Sequence, residues 1–257
     1  MDKIKNLLKK FFDNKKNRFL FVGLLVFLVL IIIVLVVFNK GNYGLISTDV
    51  SDSKKFKNEY EDLNDEIVVG DKKYPKVKLP DNDIIKYSTI DNVIDIFNNN
   101  KDGIVYFGYS TCLYCRNAVQ ILLDTAVDTE LDELLYIDIE DYWDVKELDE
   151  NGKVITKKEA HSRYYELLDV LGDELITDYV LENENGDDVK TGVKRIRYPL
   201  VLFVTDGNVA SYHIGTLFFQ KDPFVSMDDS QIKGLSGIYR SGIRDVVSSK
   251  KNKGLIK

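Results

Sequence analysis

The 257-residue chain is poor in the residues that build metal and cofactor sites, with two cysteines, two histidines and one tryptophan. Two cysteines cannot form the disulfide framework of a small secreted domain. They also cannot close a four-ligand zinc site without imidazoles, and His161 and His213 are not paired at finger spacing. There is no GxGxxG and no P-loop, and the residue after the second cysteine is Arg116, not the histidine of a haem-attachment motif. No cofactor and no metal is therefore expected.

A surplus of positive charge is also missing from most of the chain. Residues 1–40 hold eight basic and two acidic side chains, which leaves 27 basic and 40 acidic in the remainder, a balance of −13. An acidic body excludes nucleic acid as the expected partner, while the basic N-terminal stretch suits anionic lipid headgroups.

Charge is wholly absent from Phe19 to Phe38. At about 1.5 Å per residue that run spans the roughly 30 Å hydrocarbon core of a bilayer. A cleaved signal peptide would have a shorter apolar region and a small-residue cleavage site, and Val37-Phe38-Asn39-Lys40 offers none. A soluble helix would show a polar face. The reading is an uncleaved transmembrane helix over 19–38 behind a basic cytoplasmic tail over 1–18. The positive-inside rule then places the C-terminal domain outside the cell, as a single-pass protein of the cell membrane.

Residues 39–85 are polar and read as a linker, with a short edge strand available in 66–77. From Thr89 to Phe97 a capped helix is expected. Gly103-Ile104-Val105-Tyr106-Phe107 then reads as a buried strand, and Ala118, Val119, Ile121, Leu122, Leu123 and Ala126 recur at helical spacing after it.

Both cysteines, Cys112 and Cys115, fall at that strand-to-helix corner. The first turn of a helix presents free N–H groups and the positive end of the dipole, which favour a thiolate. A cysteine so placed titrates at roughly 3.5–7.5 instead of about 8.5. Cys112 is the expected attacking thiolate and Cys115, one turn further on, the resolving thiol. Two core cysteines that happen to be neighbours are the plainer alternative.

Leu134 to Ile139 supplies a second strand, completing a β-α-β unit. Asn151-Gly152 and Asn185-Gly186 signal two hairpins in acidic surroundings, and Thr156 to Leu171 reads as a helix with Thr156 and Glu159 as its capping box. Leu200 to Val204 is a buried strand, turned by Asp206-Gly207-Asn208 into Val209 to Ile214. Ser230 to Val247 closes the domain as a helix.

This order, with CxxC at the first corner, Tyr136-Ile137-Asp138, and Tyr198-Pro199 leading into Leu200-Val201-Leu202-Phe203 before Asp206-Gly207, resembles the thioredoxin family. The resemblance covers roughly residues 85–250. Gly108 to Arg116 is similar to thioredoxin-like bacteriocin transport accessory proteins of Gram-positive bacteria. The implied fold class is α/β, a central mixed sheet flanked by helices over 86–250. The resemblance also implies that Tyr198–Pro199 is cis and offers backbone groups to an extended substrate, as in strand addition. Thioredoxins carry a buried aspartate six residues ahead of the first cysteine. Here that position is Tyr106, a poor base, which leaves water, Glu140 or Asp141 to take the proton.

Two functions from different classes follow. One is a membrane-anchored thiol-disulfide oxidoreductase working on protein thiols or disulfides outside the membrane, together with a redox partner. The other is a binding module of an export or envelope complex in which the cysteines are incidental. A third, metal chaperoning through Cys112, Cys115 and His213, stands well behind them.

Overall fold

A computed structural model describes residues 50–256. The basic tail and the apolar run at 19–38 lie outside the described residues. Among the described residues no helix is long and apolar enough to cross a membrane.

The first element is helix α1 (Asp52–Glu61), capped by Ser51, whose hydroxyl accepts the Lys54 N–H. Its Phe56 and Tyr60 are wholly buried, and Val77 and Leu79 downstream join the same core. Residues 52–85 therefore do not behave as the linker expected over 39–85. The polar, charged composition hid two aromatics one helical turn apart, the minimum that lets a short helix dock.

A small hairpin follows, β1 (Ile67–Val69) with β2 (Lys72–Lys73), forming its own two-stranded sheet. The edge strand sought in 66–77 is instead β3 (Ile85–Tyr87), which pairs in parallel with a later strand. Helix α2 (Ile90–Asn98) starts at Thr89, whose hydroxyl accepts the Asn92 N–H as its cap.

Strand β4 (Gly103–Gly108) is buried along its whole length. It leads into helix α3 (Leu113–Asp128), and β5 (Leu134–Asp138) returns parallel to it. After a 3₁₀ turn at Ile139–Asp141 come the hairpin β6 (Val145–Leu148) and β7 (Val154–Lys158), then α4 (Tyr164–Leu171). The helix expected from Thr156 thus begins eight residues later. Thr156 pairs with Lys146 across the hairpin, because Gly152 at φ 74° turns a β-branched run back onto its partner. A second hairpin, β8 (Ile176–Glu182) with β9 (Asp188–Ile196), precedes β10 (Leu200–Thr205), β11 (Asn208–Ile214) and the long closing helix α5 (Asp229–Asn252).

The central sheet has the order β11-β10-β4-β5-β3. β10 runs antiparallel to both neighbours, and β3, β4 and β5 run parallel to one another, so the sheet is mixed. Successive residues of β4 point to opposite faces, and each face has its own core. Ile104 and Tyr106 meet α1, α3 and α5, whereas Val105 and Phe107 meet α2 and α4. Gly242 lets α5 sit directly on β10, since a Cβ there would come within 2.4 Å of the Phe203 ring.

Candidate redox site

Because β4 is the middle strand, its C-terminal end is a fixed point from which the loop to α3 departs. Cys112 is the N-cap of α3: its Sγ accepts the Cys115 N–H at 3.0 Å, one of the orphan donors of the first turn. The two cysteines stand at disulfide distance, with Cα atoms 5.1 Å apart. Cys112 is 7% exposed and Cys115 is 0% exposed. Cys112 thus keeps a narrow exposure that Cys115 lacks.

Directly behind the pair lies an arginine with no carboxylate. Arg116 is 1% exposed, and its Nε donates to the Pro75 carbonyl at 2.9 Å. Nη1 donates to the carbonyls of Tyr60 at 2.7 Å and Ser110 at 3.2 Å, and Nη2 to Asn64 Oδ1 at 2.8 Å. Burying an ion without a counter-ion costs several kcal/mol unless its donors are satisfied, and four of the five are satisfied here. Desolvation lowers the guanidinium pKa, partly offset by the Tyr60 and Tyr74 phenols. The knot fastens the 60–75 segment to the first turn of the cysteine helix. It also leaves a positive charge near the N-terminus that favours thiolate.

Beneath the corner, Tyr106 occupies the position where the resemblance implies an acid. Its hydroxyl is 3.0 Å from that of Tyr60, and both phenols are fully buried. Desolvation raises both pKa values well above the usual phenol value, so neither is a base at neutral pH. The Tyr106 ring lies back over Gly108, where an added Cβ would come within 2.5 Å of the hydroxyl.

The acid nearest the ladder is on β5. Gly108 is registered with Asp138, whose carboxyl burial pushes up to about 6 against the opposing pull of the Glu140 N–H. Glu140, on the following 3₁₀ turn, is also raised, chiefly by burial.

The β10 side brings the other pair of candidates. The ladder sets Leu200 against Phe107, so residues 198–199 arrive beside 108–109. Tyr198–Pro199 is cis. The Tyr198 ring is 5.1 Å from that of Tyr109, and both rings touch Trp143. Trp143 in turn stacks on the Arg195 guanidinium at 4.6 Å, with Tyr179 on its far side at 3.3 Å.

No family model, no curated protein and no solved structure matches this chain. What stands is a mixed α/β domain with a close CxxC pair, a geometry compatible with thiol-disulfide chemistry. His213 Nε2 is bonded to the Thr216 carbonyl at 3.1 Å, and among the described residues no group of three His, Cys, Asp or Glu is placed to hold a metal. Sequence reading missed Arg116, Tyr60 and Asn64 as parts of the site. Arg116 did carry a signal: it lies on the stripe continued by Val119, Leu123 and Ala126, the buried side of α3.

Proposed function

We propose that the chain is a membrane-tethered thiol-disulfide oxidoreductase of thioredoxin-like type, acting outside the cell through Cys112 and Cys115. The observation that carries this reading is the asymmetry of the pair, a helix-capping cysteine that keeps a slight exposure and a fully buried cysteine one turn behind it. In the reducing direction the Cys112 thiolate attacks a substrate disulfide, forming a mixed disulfide and expelling one substrate thiolate. Cys115 then loses its proton and attacks Cys112 Sγ, which releases the second substrate thiolate and leaves the Cys112–Cys115 disulfide. Two electrons pass to the substrate, and the oxidising direction is the reverse. Asp138, whose carboxyl burial pushes up to about 6, is better suited than Tyr106 to take the Cys115 proton. Tyr198 and Pro199 form the wall against which the substrate segment lies. The run at 19–38 tethers the domain to the membrane, and its protein substrates and redox partner lie on the outer side.

The test is the equilibrium potential of the pair in dithiothreitol and glutathione buffers, read by gel-shift alkylation. A value near about −270 mV indicates a reductase and one near about −120 mV a disulfide donor. A pair that exchanges with neither buffer overturns the proposal.

The buried Tyr60–Tyr106 hydroxyl pair favours a second reading, a binding module with idle cysteines. It requires the double Cys→Ser variant to keep its function in cells, and complete loss of that function discards it.

A further inference from the structure

The two edges of the central sheet are treated in opposite ways. At β3 the unpaired backbone is satisfied by side chains of α1. Ser53 Oγ accepts the Ile85 N–H at 3.0 Å and donates to the Ile85 carbonyl at 3.4 Å, while Asp52 accepts the Tyr87 N–H at 3.0 Å. At β11 nothing comparable exists. Among the described residues no backbone group of Asn208–Ile214 bonds to anything on the side away from β10.

Of the usual protections β11 carries one, an irregularity at Ala210 where the register with β10 shifts; its sequence, Asn-Val-Ala-Ser-Tyr-His-Ile, has no lysine, no acidic residue and no proline to discourage another strand from pairing. Seven residues of open, uncharged edge stand out on a domain with so much surface charge.

Two hollows follow this edge. The first, about 580 Å³, has Leu171–Leu175 on one side and the four consecutive residues Val209–Tyr212 on the other. Neighbours in a strand point to opposite faces, so a hollow touching four in a row follows the strand's edge. The second, about 470 Å³, takes up where the first ends, with Thr177–Val180 on one side and Ile214 on the other. It runs up to Arg195, Arg197 and Tyr198, and Tyr198 is the residue whose ring meets Tyr109 beside the cysteine loop. Among the described residues a single hydrogen bond, the exposed Tyr212–Glu174 contact at 3.3 Å, reaches across.

We infer that the outer edge of β11 is a docking strand for an extended segment of the substrate protein, which pairs with Asn208–Ile214 and delivers its cysteine to Cys112 past Tyr198. The inference rests on the redox reading above and adds the form in which the substrate is held: main-chain pairing along an edge, which admits many sequences but requires an unfolded or extended stretch. A second copy of this chain is the poorer occupant. Two bodies that each carry a balance of −13 repel on approach, and the trough itself is mixed in charge, with Asp173, Glu174 and Asp178 set against Arg195 and Arg197. The favoured segment is neutral, with side chains small enough to alternate between trough and solvent.

The test uses the full-length chain with Cys115→Ser and a Thr/Val peptide matching β11 in length, with one cysteine at its end as a mixed disulfide with thionitrobenzoate. Attack by Cys112 joins it to the peptide sulfur and expels coloured thionitrobenzoate, so the rate is read directly. The peptide should react at least about tenfold faster than the same derivative of free cysteine, the effect of one or two net backbone hydrogen bonds. Methylating alternate peptide nitrogens should erase that advantage and bring the peptide down to the rate of the free-cysteine derivative. Equal rates for all three probes overturn the inference.

If even the cysteine derivative is inert, the redox reading has failed. The edge is then judged by a cysteine-free peptide: slowed amide exchange over 208–214 sustains it, and unchanged exchange rejects it. A concentration-dependent dimer that protects 208–214 without peptide also rejects it, by naming a different occupant.

Discussion

The two faces of the central sheet are built from different materials. The face under α2 and α4 is largely aliphatic, with Ile90, Val93, Ile94, Val105, Leu167, Leu200 and Leu202 around Trp143 and Tyr164. The face under α1, α3 and α5 instead gathers Tyr60, Tyr106, Tyr136 and Tyr239 with the buried guanidinium of Arg116. The first face can be filled in many ways, because hydrophobic residues of about the right size suffice. The second is more specific, since the Tyr60 and Tyr106 hydroxyls pair with each other and the Arg116 donors need acceptors at fixed places, although the buried Tyr136 hydroxyl has no partner among the described residues. The face with the polar core is the one that carries the cysteine helix.

Four changes probe that contrast, beginning with the greatest. Arg116→Met leaves the carbonyls of Tyr60 and Pro75 without this donor and Asn64 Oδ1 with the Val77 N–H alone. It should lower stability by about 3–5 kcal/mol in urea unfolding, and a loss below about 1 kcal/mol would show that the knot is dispensable. Phe56→Ala should cost about 3 kcal/mol, since Phe56 is fully buried against Tyr60, Tyr106 and Tyr136. A midpoint shift equivalent to less than about 0.5 kcal/mol would return α1 to the status of a linker.

Gly108→Ala forces the Tyr106 phenol aside and should cost about 1–3 kcal/mol. The shorter side chain of Tyr106→Leu in the same chain should recover part of that loss. If the double variant is no better than the single one, the conflict is with the backbone and not with the phenol.

The smallest effect concerns pH. Asp138 has a folded pKa raised to about 6, so the folded state binds the proton more tightly than the unfolded state does. Its stabilising share is present at low pH and is lost as pH rises from about 4 through about 6. Asp138→Asn, which can still accept the Glu140 N–H, should therefore be more stable than the parent at pH 7 by about 1 kcal/mol, allowing for solvent screening, and equal to it near pH 3. Thermal melts at the two pH values decide this, and a gap that does not close at low pH removes ionisation as the cause.

The aliphatic face was legible from sequence because it is made of periodic signals. The β4 and β10 runs, the α2 cap at Thr89 and both Asn-Gly turns are local patterns, and each element lies where its pattern puts it. Half of the other face was not legible. Phe56 and Tyr60 sit among lysines and glutamates, and only the tertiary partner reveals that one stripe of α1 is dry. Thr156 misled for the complementary reason: capping-box chemistry is available to any Thr-x-x-Glu, but the hairpin claimed the threonine for its ladder. Of the site, the corner and the cysteine pair were readable, because spacing alone places them. The Arg116 knot was not, because it joins positions 60, 64, 75 and 116, which no local window contains together.

The same knot bears on how the domain would tolerate repeated turnover. The two cysteines are only three residues apart, so opening or closing their bond frees or captures almost no chain. The stitches that hold remote stretches together are of another kind: Arg116 to 60–75, Ser53 to β3, and Lys253 to Asp102 and Asp206. None of these can be cut by a reductant. The bond between the cysteines could thus open or close while the framework stays still, like a clasp that opens without loosening the seam that holds it.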